Sequence, residues 1–319
     1  MAEEKAKKGL NILIVNRQQT YLIHDFLEGF TALGHTVKHM WDNEVQKGDP
    51  QFAQKFDNPE RLKILARKWR EVGRQFDLII SVNYWEMLEH IFPWHKTICL
   101  FVDPPHHFGG NPFRSFQTVA LGPHPRIEWG VRNIWHSIKP VEPKYKALIA
   151  CRIDKAQENG LYFRDRKAYS TFANRNWVRV AGVIKALKQY GTPNVRVLGE
   201  PADYAQFYLS QDRMLLPENE YIQASYSPYE KLHEEFNLAE VIIDHVRPEV
   251  SGPYDDKHRP ANYNPKMLCA FAMGKPVKNI ELDYKTGDVV LRELRRPEKI
   301  RNCAEFCEDL LSRYEDSNK

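Results

Sequence analysis

Short apolar runs alternate with amphipathic segments along most of the chain. Residues 10–15 are apolar almost without interruption, which is typical of a parallel strand that is buried on both faces. Apolar residues at helical spacing follow, namely Leu22, Phe26, Phe30 and Leu33. This spacing predicts a helix that Gly34 ends, and a second strand is predicted at 35–41. Strand, helix and strand in this order form the repeating unit of Rossmann-like domains.

The same alternation continues to the middle of the chain. The pair Asn58-Pro59 is a typical helix start, because proline is tolerated in the first helical turn. Helices are predicted at 58–73 and 84–92, and strands at 76–83, 97–103, 116–122 and 133–138. The first half is therefore expected to be an α/β domain with a parallel sheet.

A second α/β set follows a stretch that contains Pro140 and Pro143, which we interpret as a linker. Strands are predicted at 147–152, 195–200, 240–246 and 275–280, and helices from either Tyr169 or Asn174 to Gln189, at 228–239 and at 264–274. A last helix, at 297–313, has one apolar face that should dock on a domain surface. The predicted organisation is an α/β fold with two Rossmann-like domains that face a cleft: residues 1–140, residues 141–296, and a C-terminal helix at 297–319.

Composition is that of a globular protein. The 319 residues are 42% hydrophobic, yet no apolar run approaches the roughly 20 residues that cross a bilayer. The charged start, MAEEKAKKG, lacks the apolar region of a secretory signal. The five cysteines are odd in number, and we interpret Cys303 and Cys307, one helical turn apart, as core-facing thiols. These features predict a cytoplasmic protein with no membrane partner.

Charge is distributed unevenly, although the net charge is only +4. Residues 144–196 hold twelve lysines and arginines and three acidic residues, whereas residues 200–258 hold four basic and thirteen acidic residues. A basic block beside an acidic one indicates a localised anion site, for the phosphates of a small ligand or of nucleic acid. A solvated charged surface is the alternative interpretation.

One carboxylate stands at the end of a predicted strand in the stretch HKTICLFVDPPHHFGGNPF, at 95–113. The apolar run 97–102 ends at Asp103, and a loop rich in proline, histidine and glycine follows. Ligands of open α/β sheets bind outside the carboxyl ends of the strands, so Asp103 is well placed to act as a general base. The alternative is that Asp103-Pro104 only starts a turn.

Two nucleotide-binding classes are disfavoured by the motifs. The chain has no Gly-x-x-x-x-Gly-Lys-Ser/Thr loop, which argues against a P-loop kinase or ATPase. The turn after the first predicted strand, at 16–20, has no glycine-rich pattern, which argues against a dehydrogenase.

A late segment carries a resemblance to a known class. Residues 269–277 read Cys-Ala-Phe-Ala-Met-Gly-Lys-Pro-Val, which is similar to the Glu-Ala-Met-Ala-Cys-Gly-x-Pro-Val segment of GT-B nucleotide-sugar glycosyltransferases. In that class the glutamate holds the ribose hydroxyls, and here Cys269 stands in its place. The resemblance implies a nucleotide-sugar donor, most simply a UDP-sugar, while Cys269 puts the ribose contact in doubt.

The chain also resembles the bacteriophage DNA β-glucosyltransferases, which glucosylate 5-hydroxymethylcytosine in duplex DNA. Their third strand ends in Val-Asn, as Val82-Asn83 does here, and their fourth ends Tyr-Leu-Phe-Thr-Asp, where this chain has Cys-Leu-Phe-Val-Asp at 99–103. The resemblance implies that Asp103 is the catalytic base. It also implies that Arg175 and Arg179 grip the donor diphosphate, and that Lys266 replaces a family arginine.

The remaining candidate residues follow from position in the predicted elements. Arg152 ends the first strand of the second domain and is a further phosphate candidate, and Gly199 is a nucleotide-binding candidate. The acceptor candidates are Asn16, Arg17, Gln18, His106 and His107. His245 is expected to face the cleft, whereas strand alternation is expected to turn Asp244 away from it. No third ligand accompanies the two loop histidines, so no metal site is predicted; a divalent metal is compatible with this chemistry but not required.

Together with these candidate residues, the resemblance implies a glycosyltransferase that moves a sugar from a nucleotide diphosphate to a hydroxymethylated pyrimidine in duplex DNA, with inversion. If a phage encodes it, it would act in the host cytoplasm. Two alternatives remain open at this point. One is a GT-B transferase with a protein, glycan or small-molecule acceptor, and the other is a non-catalytic protein that binds nucleotide or DNA.

Overall fold

A computed structural model describes residues 9–16, 22–41, 67, 70–82, 96–101, 117–120, 130–151, 172–198, 224–225, 231–245, 264–283 and 285–317. The strands are β1 (Asn11–Asn16), β2 (Thr36–Trp41), β3 (Leu78–Val82), β4 (Thr97–Phe101), β5 (Gln117–Ala120), β6 (Tyr145–Ile149), β7 (Val195–Leu198), β8 (Ala224–Ser225), β9 (Ala239–Asp244), β10 (Val277–Leu282) and β11 (Val289–Glu293). The α-helices are α1 (Leu22–Ala32), α2 (Asn133–Ser137), α3 (Phe172–Tyr190), α4 (Leu232–Asn237), α5 (Pro265–Ala272) and α6 (Cys303–Ser317).

The chain forms two compact units, each with its own sheet. The first unit contains residues 1–132 and 301–319, and the second contains residues 133–300. Strand order is β2-β1-β3-β4-β5 in the first sheet and β11-β10-β9-β6-β7-β8 in the second. The predicted α/β class with two largely parallel sheets is confirmed. Within the described residues, no helix combines the length and apolarity that a bilayer crossing requires.

All pairings in the first sheet are parallel. Its central strands are buried on both faces, which explains the nearly continuous apolar run of β1 and the five buried residues of β3. Asn16 pairs with Val82, and Val82 with Leu100, so β1, β3 and β4 end at one edge of the sheet. Asp103, two residues beyond the end of β4, lies outside the described residues.

The last helix packs on the first unit. Phe306 of α6 contacts Phe26 of α1, with ring centroids 5.5 Å apart. The helix begins at Cys303 and not at 297, because Asn302 and Glu305 form a reciprocal cap. The backbone N–H of Glu305 donates to Asn302 Oδ1 (3.0 Å), and the backbone N–H of Asn302 donates to Glu305 Oε2 (3.0 Å). The expectation of a docked terminal helix therefore holds, with a corrected start.

The second sheet is parallel except for β11, which pairs antiparallel with β10. Helix α3 covers this sheet through buried Val178, Val183 and Leu187, which pack with residues of β6, β9 and β10. Gly182 lies directly over Ile280 of β10, and this close approach leaves no room for a side chain. The apolar periodicity of α3 thus buries one face of the helix on the second sheet.

The strand predicted at 133–138 is wrong, because these residues form helix α2. Only Trp135 of this helix is buried, and its ring packs edge-on against His233 and Phe236, with centroids 6.1 and 5.4 Å away. One buried tryptophan between exposed neighbours resembles strand alternation over so short a stretch. The edge strands β8 and β11 were not predicted. They form by pairing with neighbouring strands of the sheet, and no local pattern of their own residues indicates them.

Candidate functional site at the carboxyl edge of the second sheet

Strands β6 and β9 end side by side. Ile149 pairs with Ile243 in parallel register, and the backbone N–H of Ala150 donates to the Ile243 carbonyl (2.8 Å). Cys151 and His245, the last described residues after β6 and β9, therefore lie at the same edge. Helix α5 also begins there, since the ammonium of Lys266 in its first turn donates to the Ala150 carbonyl.

An ion pair links this helix start to the end of β9. Lys266 Nζ lies 3.1 Å from Asp244 Oδ2 and 3.3 Å from Oδ1. The Asp244 side chain is only 2% exposed, whereas that of Lys266 is 22% exposed. A carboxylate this deeply buried needs a charged or hydrogen-bonding partner, and Lys266 is one of several it has. Asp244 thus points to the start of α5, because the last residue of a strand can reach past the sheet to the helix that begins there, and the expectation that it turns away from the cleft stays a prediction.

Asn264 connects the same carboxylate to the helix. Its Nδ2 donates to Asp244 Oδ2 (2.9 Å), and its Oδ1 accepts from the backbone N–H of Met267 (2.9 Å), which makes it the N-cap of α5. Pro265 follows in the first helical position, where its missing N–H costs nothing. The sequence Asn-Pro-Lys is thus a helix start, and it holds the Lys266 side chain at the positive end of α5.

His245 completes the edge. Its backbone N–H donates to Asp244 Oδ1 (2.8 Å). Its ring Nδ1 lies 2.8 Å from the Ile280 carbonyl, and because a carbonyl only accepts, this contact requires the tautomer with a proton on Nδ1. This contact joins the His245 ring to β10 at the point where β9 ends.

Two cations act on the Cys151 thiol. Burial raises the pKa of Cys151 to about 12 and the Asp244 carboxylate adds to this, while Arg179 and Lys266 act in the opposite direction. Both cations are therefore close enough to Cys151 to influence its charge. Arg179, on α3, is only 7% exposed. The edge thus gathers a guanidinium, an ammonium and one carboxylate, and a nucleotide diphosphate is the class of ligand that suits this charge set beside a helix start.

Three of the sequence-derived candidates have described side chains. Lys266 lies at this edge and Arg179 acts on the pKa of Cys151 there, whereas Cys269 lies one turn further along α5 and is buried, with 6% exposed. Arg175 lies one turn before Arg179 on α3, and Asn16 ends β1; the backbone of both is described, their side chains are not. The other candidates fall outside the described residues: Arg17, Gln18, Asp103, His106, His107, Arg152 and Gly199.

Asp244 and Asn264 are the residues that sequence reasoning missed here. For Asn264 a signal existed, because asparagine before Pro-Lys at a helix start is a typical N-cap. For Asp244 the only signal was an acid at the end of an apolar strand, the same signal that singled out Asp103. Among the described residues no cluster of histidine, cysteine, aspartate and glutamate could hold a metal ion.

The chain was compared with known proteins. Neither a protein-family profile nor a curated protein matches the sequence. Among solved structures, it is similar to Anabaena HepE in complex with UDP and glucose, with 12% identity, coverage of 97% of this chain and 92% of that one, and a TM-score of 0.46. A putative UDP-N-acetylglucosamine 2-epimerase from Listeria monocytogenes gives 9% identity, coverage of 98% and 91%, and a TM-score of 0.41.

A third similar structure is the Streptomyces sp. glycosyltransferase SsfS6, complexed with thymidine diphosphate. It gives 12% identity, coverage of 74% of this chain and 76% of that one, and a TM-score of 0.26. All three TM-scores lie below 0.5. The fold described above therefore rests on the strand orders and registers of this chain itself.

Proposed function

We propose that the chain is a GT-B-type glycosyltransferase that takes a sugar from a nucleotide diphosphate. The observation that carries this proposal is the position of the Lys266 ammonium, in the first turn of α5, at the ends of β6 and β9, where Arg179 also acts on the pKa of Cys151. Helix starts with convergent basic side chains suit the diphosphate of a nucleotide. The sequence predicts both residues as diphosphate contacts, together with Arg152 and Arg175.

In this proposal the donor diphosphate binds at the carboxyl edge of the second sheet. Arg179 offers forked N–H donors and Lys266 a compact charge, and both stabilise the negative charge that builds on the leaving diphosphate. Arg175 and Arg152 are proposed as further phosphate contacts, with Gly199 and Cys269 beside the nucleoside. A divalent metal is compatible with this arrangement and is not required by it.

The transfer step uses Asp103 as the proposed base. Asp103 accepts the proton of the acceptor hydroxyl, whose oxygen bonds to the anomeric carbon of the sugar. The bond from that carbon to the diphosphate oxygen breaks, and its electron pair leaves with the diphosphate. A single displacement of this kind inverts the anomeric centre.

For the acceptor we propose a hydroxymethylated pyrimidine in duplex DNA. The support is the short resemblance around Val82-Asn83 and 99–103, together with the exits of β1, β3 and β4 at one edge. Asn16, Arg17, Gln18, His106 and His107 are the proposed acceptor contacts. A protein, glycan or small-molecule acceptor is the alternative, and the assay below separates the two.

Calorimetric titration with UDP, TDP, GDP and ADP tests the donor site. Lys266→Met should raise the Kd of the tightest ligand about tenfold or more, since it removes a charged hydrogen-bond donor. The matched control is Lys146→Met on β6, because Lys146 pairs with Glu240 (2.5 Å) at the opposite end of the same sheet. Absence of binding by the wild type, or equal effects of both variants, would overturn the donor site.

Mass spectrometry of nucleosides tests the acceptor. Duplex DNA with and without hydroxymethylcytosine is incubated with a panel of nucleotide sugars, digested and analysed. A sugar-shifted nucleoside that is lost in Asp103→Ala is the expected result. Product on protein, glycan or small-molecule acceptors alone would replace the DNA acceptor by the alternative, and nucleotide or DNA binding without any product would favour a non-catalytic protein.

A further inference from the structure

The Asp244 carboxylate is the most heavily engaged acceptor at the edge. It accepts from Lys266 Nζ, from Asn264 Nδ2 (2.9 Å) and from the backbone N–H of His245 (2.8 Å). These donors come from the helix start and from the turn after β9, so one buried group ties both to the strand end. A buried carboxylate with this many donors is held rigidly, because each donor would be left unsatisfied if it moved.

The Asp244 carboxylate restricts the position of the Lys266 ammonium. A lysine ammonium has three N–H donors on a flexible stem, and its position is normally poorly defined. Here the Ala150 carbonyl and the Asp244 carboxylate hold Nζ from two sides, both among the described residues. In this arrangement the two acceptors take two of the three N–H donors, and the proposed role of the third is to donate to a phosphate oxygen.

The Asp244 carboxylate also determines the orientation of the Asn264 side-chain amide. An asparagine amide can be turned either way, but Asp244 accepts only from the NH₂ group, so Oδ1 is left facing the Met267 N–H. The cap that begins α5 therefore depends on the same carboxylate that places Lys266. Both positive features of the helix start, the ammonium and the capped first turn, are set by one residue.

We propose that Asp244 is a positioning residue for donor binding, which holds the Lys266 ammonium and the start of α5 in the geometry that receives a diphosphate. This inference rests on the proposed function, since it assigns the ligand of the same edge. Asp244 acts through Lys266 and need not touch the nucleotide.

A double-mutant cycle with Lys266 tests this role by calorimetry with the nucleoside diphosphate that binds the wild type most tightly. Asp244→Asn keeps the side-chain shape and should raise the Kd about tenfold, while in a Lys266→Met background it should change the Kd by no more than about twofold. Glu240→Gln is the matched control, since it removes the same charge from the other end of β9 and should leave the Kd unchanged. Tighter binding in Asp244→Asn, or an equal loss in both backgrounds, would overturn the role.

A second measurement needs no nucleotide. Competitive acetylation of the whole protein with acetic anhydride, read by mass spectrometry against an added amine standard, gives the separate reactivities of Lys266 and Lys146. In the wild type Lys266 should react more slowly than Lys146, and Asp244→Asn should raise its rate several-fold while Glu240→Gln does not. An unchanged Lys266 rate in Asp244→Asn overturns the positioning role.

The two measurements also separate this inference from the proposed function. If the wild type binds none of the nucleoside diphosphates but Lys266 acetylation rises in Asp244→Asn, the proposed function fails and the positioning of Lys266 stands. Thermal unfolding of each variant is recorded beforehand. If Asp244→Asn does not fold, the inference is tested on the wild type alone. Equal acetylation rates of Lys266 and Lys146 in the wild type would overturn it.

Discussion

At the scale of single residues, burial makes two cysteine thiols of this chain harder to ionise. The Cys303 thiol donates to Glu28 Oε1 (3.5 Å) inside the first unit. Burial raises the pKa of Cys303 to about 12 from its ordinary value of 9.0, and the nearby Glu28 carboxylate adds to the rise. The pKa of Cys307, one turn on, is raised for the same main reason. The prediction that both are core-facing thiols is confirmed.

These thiols should make the protein less stable in alkali. With the pKa raised in the native state, the stabilisation is complete below pH 9 and is lost as pH rises from 9 through about 12, because the unfolded thiol ionises first. We expect the free energy of unfolding, from urea titrations between pH 8 and 11, to fall less steeply with pH in Cys303→Ala than in the wild type. Leu310→Val, on the same buried face of α6, is the control and should keep the wild-type slope; equal slopes in all three would contradict this prediction.

Some residues of this edge could be predicted from the sequence and others could not. The difference lies in whether the pattern that indicates a residue is local or joins distant parts of the chain. Lys266 and Arg179 were proposed as phosphate contacts because the short segments around them resemble those of a known family, and such a resemblance is local in the sequence. The positioning of Lys266 by Asp244 could not be predicted, because it joins residues 22 positions apart through the meeting of a strand end and a helix start. Strand alternation did not reveal these contacts of Asp244, since it describes residues inside a strand and not the last one.

At the scale of elements, α3 can lie close to the second sheet because Gly182 has no side chain. A Cβ on Gly182 would lie 2.7 Å from Ile280 Cδ1 and closer still to Cγ2, and Ile280 is fully buried. In an exposed helix, exchange of glycine for alanine stabilises by about 1 kcal/mol. Here the sign reverses, because the added methyl group overfills a close contact between α3 and β10.

We therefore expect Gly182→Ala to lower the free energy of unfolding by about 1–3 kcal/mol, measured by urea denaturation. Combining it with Ile280→Val should cost less than the sum of the two single changes, since the smaller side chain relieves the overlap. An additive double variant, or a stabilised Gly182→Ala, would show that α3 does not approach β10 this closely.

The elements themselves were largely predictable where they were long or buried. Strands β1, β3, β6 and β9 were predicted because burial on both faces gives a continuous apolar run. Helix α2 was mistaken for a strand, because five residues around one tryptophan do not distinguish the two periods. Strand β11 depends on its antiparallel pairing with β10, which no local pattern of its own residues reveals.

At the scale of the whole molecule, the chain leaves the first unit at residue 132 and returns to it at residue 301. The two crossings run beside each other, since Val131 N–H donates to the Arg301 carbonyl (2.9 Å) and Cys303 N–H to the Val131 carbonyl (3.0 Å). Helix α6 then buries Cys303, Phe306, Cys307 and Leu310 in the first unit. The first unit is thus built from both ends of the described chain.

Truncation after Ile300 should therefore damage the first unit and spare the second. Removing α6 uncovers the apolar face of α1 that includes Phe26, so we expect amide hydrogen exchange to accelerate in β1 and β3 but not in β6 and β9. Truncation after Ser317 is the control and should leave both sheets protected. Equal protection of β1 in the full and shortened chains would contradict a structural role for α6.

The return of the chain to its first unit also sets an order of events during biosynthesis. The second unit has all its residues once position 300 has left the ribosome, whereas the first, although 132 of its residues are made earlier, still waits for the stretch that supplies α6. Throughout that interval the nascent chain carries an unsealed apolar helix face. A chaperone that recognises such a face would find its target on α1, and would lose it only when Leu310 has left the ribosome.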